Sequence, residues 1–445
     1  MRRLSIKAGF ILATVVVLAG CATQGRKLMP TPSLYRAPGA PSVFDPRKDT
    51  RPSTDLDLLY ITDRAPETAT DSTLPYGQER AKHIAFGSAQ VLMVPGLDWQ
   101  TLSEQSRLAK RTREVDLELG RVRQLGVFPE EPYRVVRTAS GVLVRDRAEL
   151  RRYDEAKHEL MADVERRLAM APKKEVLLYV HGFNETFESA AFTTAELCHF
   201  LGREDVCAFF TWPASSSGNF LTSYTTTTES AEYGVEHLKK TIRILAATPG
   251  VEGLQLLAHS RGTDLMLKAV HDLALEAIAA GKEPVDLYKI DNLVLLSPDI
   301  DVDIAAQQVT GLISDPDLAT VWPEGRLPRM LQGRLTVYAS PEDRALLISK
   351  ILFRSRNRVG QLRPEDLSPR TQSYFATLGR VDLISYQGER TDFFGHSYFT
   401  SNPEVSSDLI EMIRYGKQLG KPGRELIQTG PVTWKFPVEA DASGI

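Results

Sequence analysis

Five short and nearly uninterrupted apolar runs recur between residues 175 and 340. They are "EVLLYV" (Glu175–Val180), "VCAFFTW" (Val206–Trp212), "LQLLA" (Leu254–Ala258), "NLVLLS" (Asn292–Ser297) and "LTVYAS" (Leu335–Ser340). Runs without polar alternation suit strands covered on both faces, as in a parallel sheet. The stretches between them, such as Glu229–Ala247 and Thr263–Ala280, have the length and spacing of crossover helices. Strand, helix and strand in this order imply an α/β chain with a doubly wound, mostly parallel sheet. Ligands of such sheets bind beyond the carboxyl ends of the strands. Polar residues gather there: "HGFNETF" after the first run, "HSRG" after the third, "PDIDVD" after the fourth and "PEDRAL" after the fifth. No glycine-rich phosphate loop follows any of these strands, which disfavours a nucleotide cofactor.

"LLAHSRGTDL" (Leu256–Leu265) is the most informative of these junctions. It nearly matches the Gly-x-Ser-x-Gly elbow that carries a nucleophilic serine between strand and helix, with Ala258 in place of the first glycine. Alanine adds only a methyl group there, and Gly262 keeps the position where strand and helix approach most closely. A serine hydroxyl needs a base to take its proton and a carboxylate to orient that base. Ser260, Asp343 and His396 supply these in the chain order serine, acid, histidine. Asp299 and Asp301 are alternative acids, and any of the three could instead cap a helix. His396 lies in the aromatic loop "DFFGHSYF", whereas His259, by alternation, points away from the serine and reads as a packed core histidine. The backbone N–H groups of Phe183 and Arg261 are candidate oxyanion donors, with His181, Gly182 and Asn184 shaping the pocket loop. Histidines, cysteines and acids do not cluster at metal-ligand spacing, so neither a metal nor another cofactor is implied.

The amino terminus argues about place rather than chemistry. Arg2, Arg3 and Lys7 precede the apolar run "AGFILATVVVLAG", which is too short for the roughly 20 residues of a spanning helix and fits a secretory signal. "LAGC" (Leu18–Cys21) resembles the bacterial lipobox, which implies cleavage after Gly20, lipidation of Cys21 and, with Ala22 next, an outer-membrane anchor facing the periplasm. Losing Arg2, Arg3 and Lys7 with the signal moves the formal charge from -3 to -6, which is no profile for a nucleic-acid binder. Of the three cysteines, Cys198 and Cys207 remain; in an oxidising compartment they could close a short disulfide, or stand as two buried thiols.

The expected organisation is a signal at 1–20, a Pro-rich extended tether at 21–55, an α/β body at 56–430 and a tail at 431–445. Within the body, residues 98–170 read as a charged helical insertion, because Leu102, Leu108, Val115, Leu119 and Val122 fall near helical period. "HIAFGSAQVLMVP" (His83–Pro95) reads as a strand pair broken at Gly87. Residues 211–230 read as a polar loop bordering the pocket, and 350–370 as a solvated basic loop.

Taken together, "LLYITDR", "VLLYVHGFNETFESA", "AFFTWPASSSGNFLTSY", "LLAHSRGTDLM", "LLSPDIDVDIA", "LTVYASPEDRALLIS" and "GHSYFTSNPEVSSDL" resemble the DUF900 family of bacterial α/β-hydrolases, from about Leu56 to Ile413 but excluding the charged helical insertion. The resemblance implies an α/β-hydrolase fold and ester-type hydrolysis of a small-molecule or lipid ester, without defining the substrate. Arg261 and Thr263 depart from the family's usual "AHSMGN", which implies a more cationic pocket entrance. Two functions follow: a lipid-anchored serine hydrolase acting on esters or thioesters, or an envelope scaffold or binding lipoprotein that keeps the fold without turnover.

Overall fold

The computed structural model describes residues 25–437 except 37, 46, 49–51, 71, 94–95, 215–219, 317–325, 354–356, 391 and 393. Residues 1–24, with Cys21 and the expected signal, therefore lie outside the described residues, as do Phe393 and the end of the expected tail.

Short apolar runs become the middle of one large sheet. Its strands are β1 (Arg26–Lys27), β2 (Asp55–Pro66), β3 (Tyr76–Met93), β4 (Asp116–Val127), β7 (Glu175–Val180), β8 (Val206–Thr211), β9 (Gly253–His259), β10 (Ile290–Leu296), β11 (Leu335–Ala339), β12 (Val381–Ser385), β13 (Ile427–Gln428) and β14 (Thr433–Lys435); β5 (Val135–Arg137) and β6 (Leu143–Arg145) form a separate hairpin. The spatial order is β1-β4-β3-β2-β8-β7-β9-β10-β11-β12-β14-β13. From β2 through β8, β7, β9, β10, β11 and β12 to β14 every pairing is parallel. The β2–β3, β3–β4 and β1–β4 pairs are antiparallel. The architecture is the expected α/β one, a mostly parallel sheet with helices on both faces.

Alternate residues of β7 enter different cores, as a doubly covered strand requires. Val176, Leu178 and Val180 pack with the helices α2 (Arg147–Met170), α4 (Phe220–Ala247) and α5 (Gly262–Ala279). Leu177 and Tyr179 pack with α3 (Phe187–Phe200) and with α11 (Pro403–Ile413), which follows the short α10 (Tyr398–Ser401). The remaining helices are α1 (Trp99–Gln105), α6 (Pro284–Tyr288), α7 (Val302–Ser314), α8 (Arg344–Phe353) and α9 (Pro369–Leu378). None is long and apolar enough to cross a membrane among the described residues.

Several expectations are corrected. The 98–170 segment is helical only at α1 and α2; between them Asp116–Val127 is a strand bonded to β3. Val115, Leu117 and Leu119 actually alternate with Asp116 and Glu118, and that two-residue period wins once a partner strand is present. α2 itself buries Ala156, Leu160, Val164 and Leu168, a strict four-residue repeat, and starts at Asp146, whose carboxylate accepts the N–H groups of Ala148 and Glu149. The 21–55 tether is also shorter than expected. Leu28, Met29, Tyr35, Val43 and Phe44 are buried, and Arg111 donates to the carbonyls of Leu28 and Met29 at 2.6 Å each.

Residues 83–93 are not a broken pair but part of the single strand β3. Its register slips beside Gly87, where a Cβ would strike the Arg123 carbonyl. α4 begins at Phe220, so most of the expected pocket loop at 211–230 is helix; 215–219 lie outside the described residues. Residues 433–435 of the expected tail add a strand to the sheet. The 350–370 segment is not simply solvated: Arg358 is 3% exposed, with Nε 3.3 Å from Asp299.

Candidate active site

Ser260 stands on the turn between β9 and α5 with φ of +53°, a left-handed conformation that costs energy for a residue with a side chain. Tight bonding holds it there. Its N–H donates to Leu296 O at 2.9 Å, and its carbonyl accepts from Thr263 N, Thr263 Oγ1 and Asp299 N at 3.1, 2.6 and 3.2 Å. Two glycines make room. A Cβ on Gly262 would collide with the His181 carbonyl, and one on Gly182 would lie 2.6 Å from Ser260 Cβ. Ala258 sits fully buried between Val180 and Leu295 in the strand register, where its methyl joins the core.

His396 reaches the same region from the loop after β12. Its Nδ1 donates to Asp343 Oδ2 at 2.6 Å, with the Asp343 side chain fully buried and the imidazole 15% exposed. Asp343 follows β11, and its Oδ1 accepts Leu346 N at 3.1 Å. Burial lifts the Asp343 carboxyl above its usual range, partly opposed by His396. Burial alone would lower the His396 pKa, but the Asp343 charge and hydrogen bond prevail and raise it.

The other two aspartates are occupied elsewhere. Asp299 accepts from Ser349 Oγ at 2.6 Å and from the Tyr224 hydroxyl, and pairs with Arg358. Asp301 caps α7 through the N–H groups of Asp303 and Ile304.

His259, the residue before Ser260, packs against His396. The rings of His259 and His396 lie 4.7 Å apart, and His259 Nε2 donates to His396 O at 3.2 Å. Ser297 Oγ donates to the same carbonyl at 3.0 Å. Among the described residues no hydrogen bond joins the Ser260 hydroxyl to the His396 ring; such contacts commonly tighten only around a bound substrate.

Phe183 and Asn184 occupy the turn between β7 and α3. Asn184 has φ of +59° and donates its N–H to Ala214 O at 2.8 Å. His181 is fully buried and stacked on Trp212 with ring centroids 5.6 Å apart. Its Nδ1 donates to Gly182 O at 2.9 Å while Nε2 accepts from Trp212 N at 3.2 Å. Burial and the nearby Arg64 charge push its pKa well down, so it is a neutral loop former. Arg261 is the residue before α5, and its side chain is 7% exposed. It donates to Asp299 O at 3.1 Å and Thr228 Oγ1 at 3.2 Å, which corrects the expectation of a cationic entrance. Cys198 and Cys207 form a disulfide between α3 and β8.

The sequence reading passed over Asp392. Its carboxylate accepts the N–H groups of Phe394, Gly395, His396 and Ser397 at 2.9, 2.6, 3.3 and 3.0 Å, fixing the loop that presents the imidazole. The signal was available: an aspartate three residues before a glycine is a turn-forming pattern, and Gly395 has φ of +64°.

Comparison with known proteins gives one family. The model for "alpha/beta hydrolase of unknown function (DUF900)" matches residues 156–414, more than half of the chain. No curated protein matches. Among solved structures, the chain is similar to a Pyrobaculum calidifontis esterase (12% identity, 55% of this chain and 78% of that one, TM-score 0.30). It is also similar to Zea mays acyl-protein thioesterase 2 (14% identity, 55% and 94%, TM-score 0.29). Est1E from Butyrivibrio proteoclasticus aligns at 13% identity over 56% and 91%, with a TM-score of 0.26.

Proposed function

We propose that the chain, which belongs to the DUF900 family of alpha/beta hydrolases, is a serine hydrolase that cleaves carboxylic esters or thioesters. In this reading Ser260 Oγ attacks the carbonyl carbon while His396 Nε2 takes its proton, and Asp343 stabilises the imidazolium that forms. The N–H groups of Phe183 and Arg261 hold the developing oxyanion, Arg261 with the added field of the α5 amino terminus. The tetrahedral adduct collapses as His396 returns its proton to the leaving alcohol or thiol. Water, deprotonated by His396, then attacks the acyl-serine, and His396 returns that proton to Ser260 Oγ as the acid leaves. No step calls for a cofactor.

The observation that carries this reading is the 2.6 Å His396–Asp343 bond, packed against the residue that precedes a strained serine elbow. Neither Asp299 nor Asp301 competes for the imidazole, because each already serves another part of the fold. A fluorophosphonate probe tests it. Wild type is expected to be labelled, and labelling should disappear in Ser260→Ala. Folded wild-type protein that stays unlabelled and cleaves no short-chain ester would overturn catalysis and leave the scaffold reading.

We further propose that Cys21 is lipidated and holds the body at the outer membrane, facing the periplasm. The closed Cys198–Cys207 bond supports an oxidising compartment. Mass spectrometry of the amino-terminal peptide checks this: an unmodified Cys21 in membrane-grown protein would sink it.

A further inference from the structure

Chain order places the amino terminus of the body against the edge of the sheet. Gly25 lies beside Asp116 and Leu117, and Arg26 and Lys27 pair with Leu117 and Asp116 of β4. Only four residue steps separate Cys21 from Gly25, a reach of at most about 14 Å. A lipid on Cys21 would therefore hold this edge close to the bilayer, with little freedom to turn another face inward.

The charge of the same edge runs against the rest of the molecule. Residues 107–127 carry six Lys or Arg against three Asp or Glu, in a chain whose formal charge is -3. Arg107, Lys110, Arg113, Arg121 and Arg123 are exposed, and none of these side chains forms an ion pair or hydrogen bond among the described residues. Leu108 projects from the same loop, 38% exposed.

Resting on the proposed lipidation, we infer that the β1–β4 edge and the 107–113 loop form the face laid on an anionic phospholipid bilayer. Short reach, unpaired cations and one exposed apolar side chain are the properties such a surface selects. This orientation has a consequence for the active site. β9 lies five strand steps from β4, roughly 24 Å at ~4.8 Å per step, so Ser260 stands clear of the anchoring bilayer and meets substrate from the aqueous side.

The test uses the acylated mature protein in vesicles. An environment-sensitive fluorophore is placed at Leu108→Cys, or as a control at Leu275→Cys on α5. Vesicles of phosphatidylglycerol and phosphatidylethanolamine are compared with phosphatidylcholine alone. Label at 108 is expected to be quenched by lipid-borne quenchers on the acidic vesicles, and label at 275 to remain in water. Each cation near an acidic surface contributes about fivefold, so Arg107→Gln, Lys110→Gln and Arg113→Gln combined should shift the docked equilibrium by about 100-fold. Equal quenching at both positions, equal quenching on both vesicle types, or no response to the triple substitution would overturn the inference. Mass spectrometry on the same preparation keeps the two readings apart. A missing acyl group sinks the anchor, whereas an acylated chain with an aqueous 108 label sinks the docking face alone.

Discussion

The parallel middle of the large sheet and its antiparallel β4 end are built by different rules. Around β7, β9, β10 and β11 the strands are five to seven residues long, parallel and almost wholly buried. At the β4 end β2, β3 and β4 run 12, 18 and 12 residues, pair antiparallel with one another, and leave much of β4 in water. Parallel strands must be joined by crossings, so their carboxyl ends open into loops on the same side, and Ser260, Asp343 and His396 stand on such loops. The antiparallel ribbon lacks that convergence. What it contributes is an extended edge, the strands over which α2 extends the shared core, and the place where the described chain enters the fold. The proposed chemistry and the proposed attachment thus fall on different parts of one hydrogen-bonded sheet.

That division predicts that substitutions at the two ends fail in different ways. Ser260→Ala should lower turnover of a reactive ester by roughly 10⁴-fold or more, and Asp343→Asn by about 10⁴-fold, with little change in melting temperature. Asp299→Asn should instead disturb the Tyr224–Ser349–Arg358 cluster and leave more turnover than Asp343→Asn. A greater rate loss in Asp299→Asn would transfer the acid role. At the far end, Leu160→Ala opens a cavity under α2 where the side chain is 1% exposed. It should cost about 2–5 kcal/mol of stability in denaturant unfolding, while kcat of the folded enzyme stays near wild type. A fall in kcat at full folding would show that the two ends are coupled.

Legibility in the sequence followed the same boundary. The parallel half could be read because each apolar run is continuous, each gap holds a helix, and the polar stretches after the runs mark the carboxyl ends. The elbow at Ser260 was visible despite Ala258. The antiparallel half hid itself. In β4, Leu119 and Val122 lie on either side of a register slip and imitate a helical step, while Arg121 and Arg123 resemble the charged face of a helix. The Pro-rich segment before Asp55 looked like a tether because Leu28, Met29, Tyr35 and Phe44 follow no period. They are buried one at a time by contacts distant in sequence, including Glu196 accepting the Met29 N–H at 2.7 Å. Arg358 was unreadable for a related reason, since only the fold reveals that Asp299 waits for it.

Asp392 sharpens the site side at the next lower magnitude. It touches no substrate in the proposed mechanism and acts by positioning the His396 loop through four backbone N–H groups. Asp392→Ala should reduce kcat by about 10–100-fold, since small displacements of a reacting group carry costs of that order, with KM much less affected. Asp392→Asn retains a carbonyl acceptor and should restore much of the loss. If both variants were equally impaired, the negative charge rather than the geometry would be the contribution.

The smallest expected effect is a titration, and it again separates the ends of the sheet. His396 must be neutral to accept the serine proton, so kcat/KM should fall as pH drops through its pKa. That pKa lies above the ordinary 6.5, because the charge and hydrogen bond of Asp343 outweigh the opposing effect of burial. The acidic limb of the profile should therefore have its midpoint above 6.5. In Asp343→Asn the raising influence is lost, and the residual activity should show the limb moved to lower pH. His83 on β3 behaves oppositely: burial lowers its pKa, and it stands on the antiparallel ribbon, away from the imidazole. Substituting His83 by Gln should leave the limb where it is. A profile that follows His83 and ignores Asp343 would mean that protonation at the edge, not at the elbow, governs turnover.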